Sequence, residues 1–86
     1  MSEINSVTNK EYRDFLKSVG CYKKRQKGSH LVFSKDGLRR PIIFQATGDI
    51  PLLHIKTNLK TLGITTEVFL DHIKSVRSKK QKKAKN

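Results

Sequence analysis

Residues Lys23 to Ser34 read Lys-Lys-Arg-Gln-Lys-Gly-Ser-His-Leu-Val-Phe-Ser. Four of the first five are cations. Lys27-Gly28 predicts a tight turn, and Ser29-His30 opens an apolar strand. The stretch therefore predicts a β-hairpin with one histidine beside a cluster of positive charge. Such a cluster attracts a phosphate backbone, and an imidazole titrates near neutral pH and can move a proton. The candidate site follows: Lys23, Lys24, Arg25, Lys27, Gly28 and Ser29 to hold RNA, and His30 to do chemistry on it. The cations also suit an edge strand whose charge discourages aggregation. The two roles are compatible.

Outward from the hairpin, the pattern predicts helix, three antiparallel strands, helix, short helix. Thr8-Asn-Lys-Glu11 matches a capping box, and Tyr12, Phe15, Leu16 and Val19 follow as one apolar stripe. Gly20 closes that helix as a left-handed residue after the cap. Residues 1–7 read as a frayed lead-in. The first strand is expected from Cys21 to Gln26 and the second from Ser29 to Ser34. Alternation puts Leu31 and Phe33 toward the core and turns His30, Val32 and Ser34 the other way. Asp36-Gly37 predicts a type I′ hairpin turn. A third strand, Leu38 to Gln45, is an edge or is bulged at Pro41. Asp49 is the expected N-cap of a second helix that carries Leu52, Ile55, Leu59 and Leu62 and stops at Gly63. Thr65 caps a third, docked by Val68, Phe69 and Ile73, with an Ile64–Phe69 staple. The class is α+β: a three-stranded antiparallel sheet with helices on one face and a short C-terminal helix.

Eighty-six residues make one small domain, expected over residues 1–73. The net charge of +12 favours polyanionic partners. It is unevenly spread. Residues 74–86 hold seven cations and no acid, so residues 1–73 carry 12 − 7 = +5. The segment 74–86 has too little apolar content to fold by itself and reads as an unstructured basic tail. One cysteine, Cys21, excludes an intramolecular disulfide and suits a reducing cytoplasm. Met1 to Ser6 has no signal-peptide pattern, and no apolar run approaches the roughly 20 residues that cross a bilayer.

Little other chemistry fits. Cys21, His30, His54 and His72 have no metal-ligand spacing, and no Gly-rich phosphate loop follows a strand. Neither metal nor cofactor is expected. Cys21 reads as a small buried hydrophobe. His54 falls on the polar side of its helix and His72 near a packed stripe, so both read as surface or packing residues. RNA cleavage needs little machinery, because the substrate brings its own nucleophile. A base removes the 2′-hydroxyl proton, the oxygen attacks phosphorus, and cations stabilise the developing charge. His30 would be that base, with Lys24, Arg25 and Lys27 neutralising phosphate and the Gly28 and Ser29 amides as further donors. The proton for the leaving oxygen is left unassigned. From these residues alone, plain RNA binding stands beside cleavage. A membrane-surface role for the tail is disfavoured by its lack of a hydrophobic face.

Over about residues 8–71 the chain resembles the HicA toxins of bacterial type II toxin–antitoxin systems. The resemblance rests on Tyr12, Phe15 and Leu16 leading to Val19-Gly20-Cys21, on Arg25-Gln26-Lys27-Gly28-Ser29-His30, on Leu31-Val32-Phe33, and on Ile55-Lys56 with Leu59-Lys60-Thr61-Leu62-Gly63-Ile64. It implies a double-stranded-RNA-binding-like α-β-β-β-α fold. It also implies metal-independent mRNA endonuclease activity with His30 catalytic, and neutralisation by a HicB-type antitoxin. Many members carry a further histidine in a Pro-x-His segment at the end of the third strand. Here that region reads Pro41-Ile-Ile-Phe-Gln45-Ala46, without one. An antitoxin covering His30 and its cationic rim would present acidic side chains to Lys24, Arg25 or Lys27.

Overall fold

The computed structural model describes the backbone of residues 4–85 and the side chains of residues 4–78. Along the chain the elements are β1 (Ser6–Val7), α1 (Asn9–Ser18), β2 (Tyr22–Lys27), β3 (His30–Ser34), β4 (Ile42–Gln45), β5 (Ile50–Pro51), α2 (Leu52–Leu62) and α3 (Thr66–Lys85). The domain is α+β. Strands β2, β3 and β4 form an antiparallel sheet in that order, and three helices accompany it.

Local chemistry sets most element ends. Thr8 caps α1 with both halves of the capping box: Glu11 N–H donates to Thr8 Oγ1 at 3.1 Å, and Thr8 N–H donates to Glu11 Oε1 at 2.9 Å. Gly20, at φ +96°, turns the chain out of the helix. Gly28 at φ +59°, followed by a serine without positive φ, gives β2 and β3 the two-residue connection of a type II′ turn. Gly63 ends α2 in the left-handed region, as its position predicts. Thr65 Oγ1 accepts the Val68 N–H at the start of α3.

One face of the sheet is buried. Leu31, Phe33, Ile42 and Phe44 pack with Tyr12, Phe15 and Leu16 of α1, Ile55 and Leu59 of α2, and Phe69 and Ile73 of α3. Aromatic edges organise this core. Tyr12 meets Phe44 with ring centroids 4.7 Å apart, and Phe15 meets Phe69 at 4.8 Å, both edge to face. Tyr12 is wholly buried, and burial pushes its hydroxyl up to about 12 against an opposing influence from Asn58. Cys21 is a free thiol buried in the same core, and burial raises it above its ordinary value.

Several expectations give way to longer-range packing. Residues 6 and 7 are not a frayed lead-in. They pair antiparallel with Ile50 and Pro51, which buries Val7 and Ile50. Met1 to Glu3 lie outside the described residues. That same pairing takes the chain into α2 through Pro51, so Asp49 is not its N-cap and no side chain caps it. The third strand starts at Ile42, not Leu38. Pro41 has no N–H for the ladder and restricts Arg40 before it, so the strand begins after the proline. The Asp36-Gly37 turn is consequently not a type I′ hairpin. Only Gly37 has positive φ, and Leu38 N–H closes the turn on Lys35 O at 2.9 Å. Val68 is exposed, and Phe69 and Ile73 dock α3.

The last helix is not short. It runs to Lys85, through the segment expected to be an unstructured tail from residue 74. Lys, Arg, Gln and Ala are good helix formers, and neither Gly nor Pro interrupts them. Arg77 also ties the helix down. Its Nε and Nη2 donate to Glu11 Oε2 and Oε1 at 2.8 and 3.0 Å. The charges expected of the tail from Lys79 onward lie outside the described side chains.

Candidate functional site

The site is built on the face of the sheet away from the core. Strand register sets it out in rows. Lys27 stands opposite His30, which stands opposite Gln45; Arg25 stands opposite Val32, which stands opposite Ile43. Cross-strand partners share a face. Arg25, Lys27, His30, Val32 and Ile43 therefore line one shallow cavity of about 480 Å³. His30 and Ile43 continue into an adjoining cavity of about 310 Å³, completed by Phe44, Gln45, Ile50 and His54.

Of the sequence-predicted residues, Arg25, Lys27 and His30 come together here. Lys23 does not. It pairs with Phe33, whose side chain faces the core, so Lys23 projects from the sheet edge on the helical side. Lys24 sits where the register shifts between Lys23 and Arg25. Pairing and the bulge together decide the site's charge. Regular pairing from the turn keeps Arg25 and Lys27 on the face of His30, and the bulge takes Lys23 off that face, where strict alternation would have put it. Gly28 and Ser29 form the turn that carries His30. Gln26 Nε2 donates to Gly28 O at 3.1 Å, and Ala46 N–H donates to Ser29 O at 2.8 Å. Those contacts fix the turn against both flanking strands.

His30 is exposed, as alternation predicts, and it is the first residue of β3. Val32 lies on the same face but is buried by its row neighbours Arg25 and Ile43. The face is thus an apolar floor with a cationic border, and Tyr22 and Ile43 leave about half their surface exposed.

The outer edge of β4 is closed by side chains. Asn9 Nδ2 donates to Gln45 O at 2.7 Å, and Asn58 Nδ2 of α2 donates to Ile43 O at 3.5 Å. Gln45 itself is fixed, its Nε2 donating to Thr47 O and Asp49 O at 3.0 Å each. Sequence reasoning missed Ile43, Gln45 and His54 as neighbours of His30. A correct strand register would have found the first two. His54 carried no local signal, because its approach depends on how α2 packs beside β4.

His72 lies elsewhere, edge to face on Phe15 at 5.1 Å between centroids. That is a packing role. Among the described residues, no group of three or more His, Cys, Asp or Glu is placed to hold a metal ion, and no helix is long and apolar enough to cross a membrane.

No protein-family model, curated protein or solved structure matches the chain.

Proposed function

We propose that the chain is a toxin ribonuclease of the HicA kind, an mRNA endonuclease with a double-stranded-RNA-binding-like fold, acting in the cytoplasm and silenced by a HicB-type antitoxin. One observation carries the reading: an exposed imidazole, His30, shares a shallow surface cavity with two exposed cations, Arg25 and Lys27. The cavity lies open to a polymer, and its residue types match what cleavage by an internal nucleophile requires. Arg25 and Lys27 engage the non-bridging phosphate oxygens. His30 takes the 2′-hydroxyl proton as the oxygen attacks phosphorus. The exposed Tyr22 and Ile43 offer apolar surface to a base on the same face of the sheet. The antitoxin would act by occupancy, with acidic side chains over Arg25 and Lys27.

The test is induction of wild type and His30→Ala in cells, with cleavage of a defined RNA in vitro. Loss of a general base lowers the rate by roughly 10²–10⁴. Growth arrest and cleavage should both be lost, with an unchanged circular dichroism spectrum, because His30 stands outside the core. A folded His30→Ala protein that still cleaves would remove the catalytic assignment. A wild type that binds RNA and never cleaves it would make the chain a non-catalytic RNA-binding module.

A further inference from the structure

His30 and His54 are 24 positions apart in sequence and come from a strand and a helix, yet both line the 310 Å³ cavity beside β4. Their approach is built in at both ends. His30 opens β3, opposite Gln45. His54 sits one helical turn before Asn58, and residues four apart share a helix face. Asn58 bonds the backbone of β4 at Ile43, which brings that edge of α2 against the strand. Ile55 and Leu59, on the neighbouring face, are fully buried and hold the helix in rotation. His54 is exposed and lines the cavity with His30, together with Ile43, Phe44, Gln45 and Ile50.

The two cavities meet at His30 and Ile43. A phosphate held by Arg25 and Lys27 in the first would lie against His30, and the chain beyond it would pass toward His54 in the second. In-line displacement at phosphorus puts the entering and leaving oxygens on opposite sides, so one imidazole cannot serve both in a single step. We propose that His54 is a second catalytic residue, the general acid that protonates the leaving 5′-oxygen. The proposal rests on the ribonuclease reading and supplies what that reading lacks. His30 accepts the 2′-hydroxyl proton, and the O2′–P bond forms. The P–O5′ bond breaks, and O5′ takes its proton from the His54 imidazolium. The products are a 2′,3′-cyclic phosphate and a 5′-hydroxyl. Exchange with water returns a proton to His54 and removes one from His30.

The experiment compares wild type, His30→Ala and His54→Ala on two versions of one oligoribonucleotide. In the second, sulfur replaces the bridging 5′-oxygen at the cleavage site. A thiolate leaves without being protonated, so this substrate needs a base but no acid. Wild type should cleave both. His30→Ala should lose roughly 10²–10⁴ in rate on both. His54→Ala should lose a similar factor on the oxygen substrate and stay within about tenfold of wild type on the sulfur substrate, because acid catalysis alone is removed. Undiminished cleavage of the oxygen substrate by His54→Ala would overturn the proposal, and so would an equal loss on both substrates. Either result leaves wild-type cleavage and its dependence on His30 intact. A wild type that cleaves neither substrate overturns the ribonuclease reading and this proposal with it.

Discussion

Replacing Glu11 with glutamine removes the charge that pins α3 to α1 and leaves an amide oxygen for the Thr8 N–H. Glu11 is 7% exposed, and its carboxylate receives two donors from Arg77 and one from Thr8. The Arg77 hydrogen bonds, against the opposing effect of burial and with help from Thr8, hold the carboxyl down at about 2, from an ordinary 4.5. Taken whole, that difference amounts to about 3 kcal/mol, at 1.36 kcal/mol for each pH unit. The Arg77 side chain is 43% exposed, however, so solvent screens the pair. A contribution of about 1–2 kcal/mol remains. In a domain of this size each kcal/mol moves Tm by about 4–8 °C.

The folded-state value lies below the unfolded one, so the stabilisation is complete above about pH 4.5 and is lost as pH falls through about 2. Thermal melts followed by circular dichroism should place Glu11→Gln below wild type by that margin at pH 7. The gap should narrow between pH 4.5 and 2 and be largely closed at the lower limit. Arg77→Ala should cost at least as much at pH 7, because it strands a buried carboxylate, whereas Glu11→Gln leaves a guanidinium that water still reaches. Equal Tm values at pH 7, or a gap that persists undiminished to pH 2, would refute the claim that this ion pair anchors α3.

Alongside the loss of cleavage in His30→Ala and the sulfur-substrate rescue of His54→Ala, three further outcomes are expected. Arg25→Ala with Lys27→Ala should reduce the slope of log K against log salt for single-stranded RNA by about 1.4, about 0.7 for each phosphate contact. Charge reversal of the same two residues should weaken an antitoxin and RNA together, whereas reversal of Lys23, which projects on the helical side, should spare both; titration calorimetry and filter binding read these effects. Deletion of residues 79–86 removes five cations and should lower RNA affinity without moving the cut positions mapped by primer extension, whereas deletion from residue 75 also removes Arg77 and should lower Tm.

Local sequence was enough wherever a feature is made by residues near one another in the chain. The Thr8–Glu11 box, the stop at Gly20, a tight turn at Gly28, the outward aim of His30 and the stop at Gly63 each involve groups within a few positions, and each is present, although the turn expected at Lys27-Gly28 lies one residue later, at Gly28-Ser29. Alternation and helical spacing likewise identified Leu31, Phe33, Tyr12, Phe15, Ile55 and Leu59 as core, because burial of a face imposes those periods.

Features that join distant segments were decided by the folded chain. Ser6–Val7 is too short to register as a strand until Ile50–Pro51 supplies its partner. The basic run 23–27 has no apolar residue to reveal its phase. Only pairing with β3 sends Arg25 and Lys27 to the face of His30, and only the shift after Lys23 turns that lysine to the other side. Arg77 reads as one more tail cation until helix packing sets it on Glu11, 66 positions away. His54 reads as a surface residue and is exposed, but only α2 lying along β4 brings it to a cavity shared with His30. In each instance the deciding interaction closes a long loop of chain, and the sequence around a residue holds no record of which distant group will stand beside it.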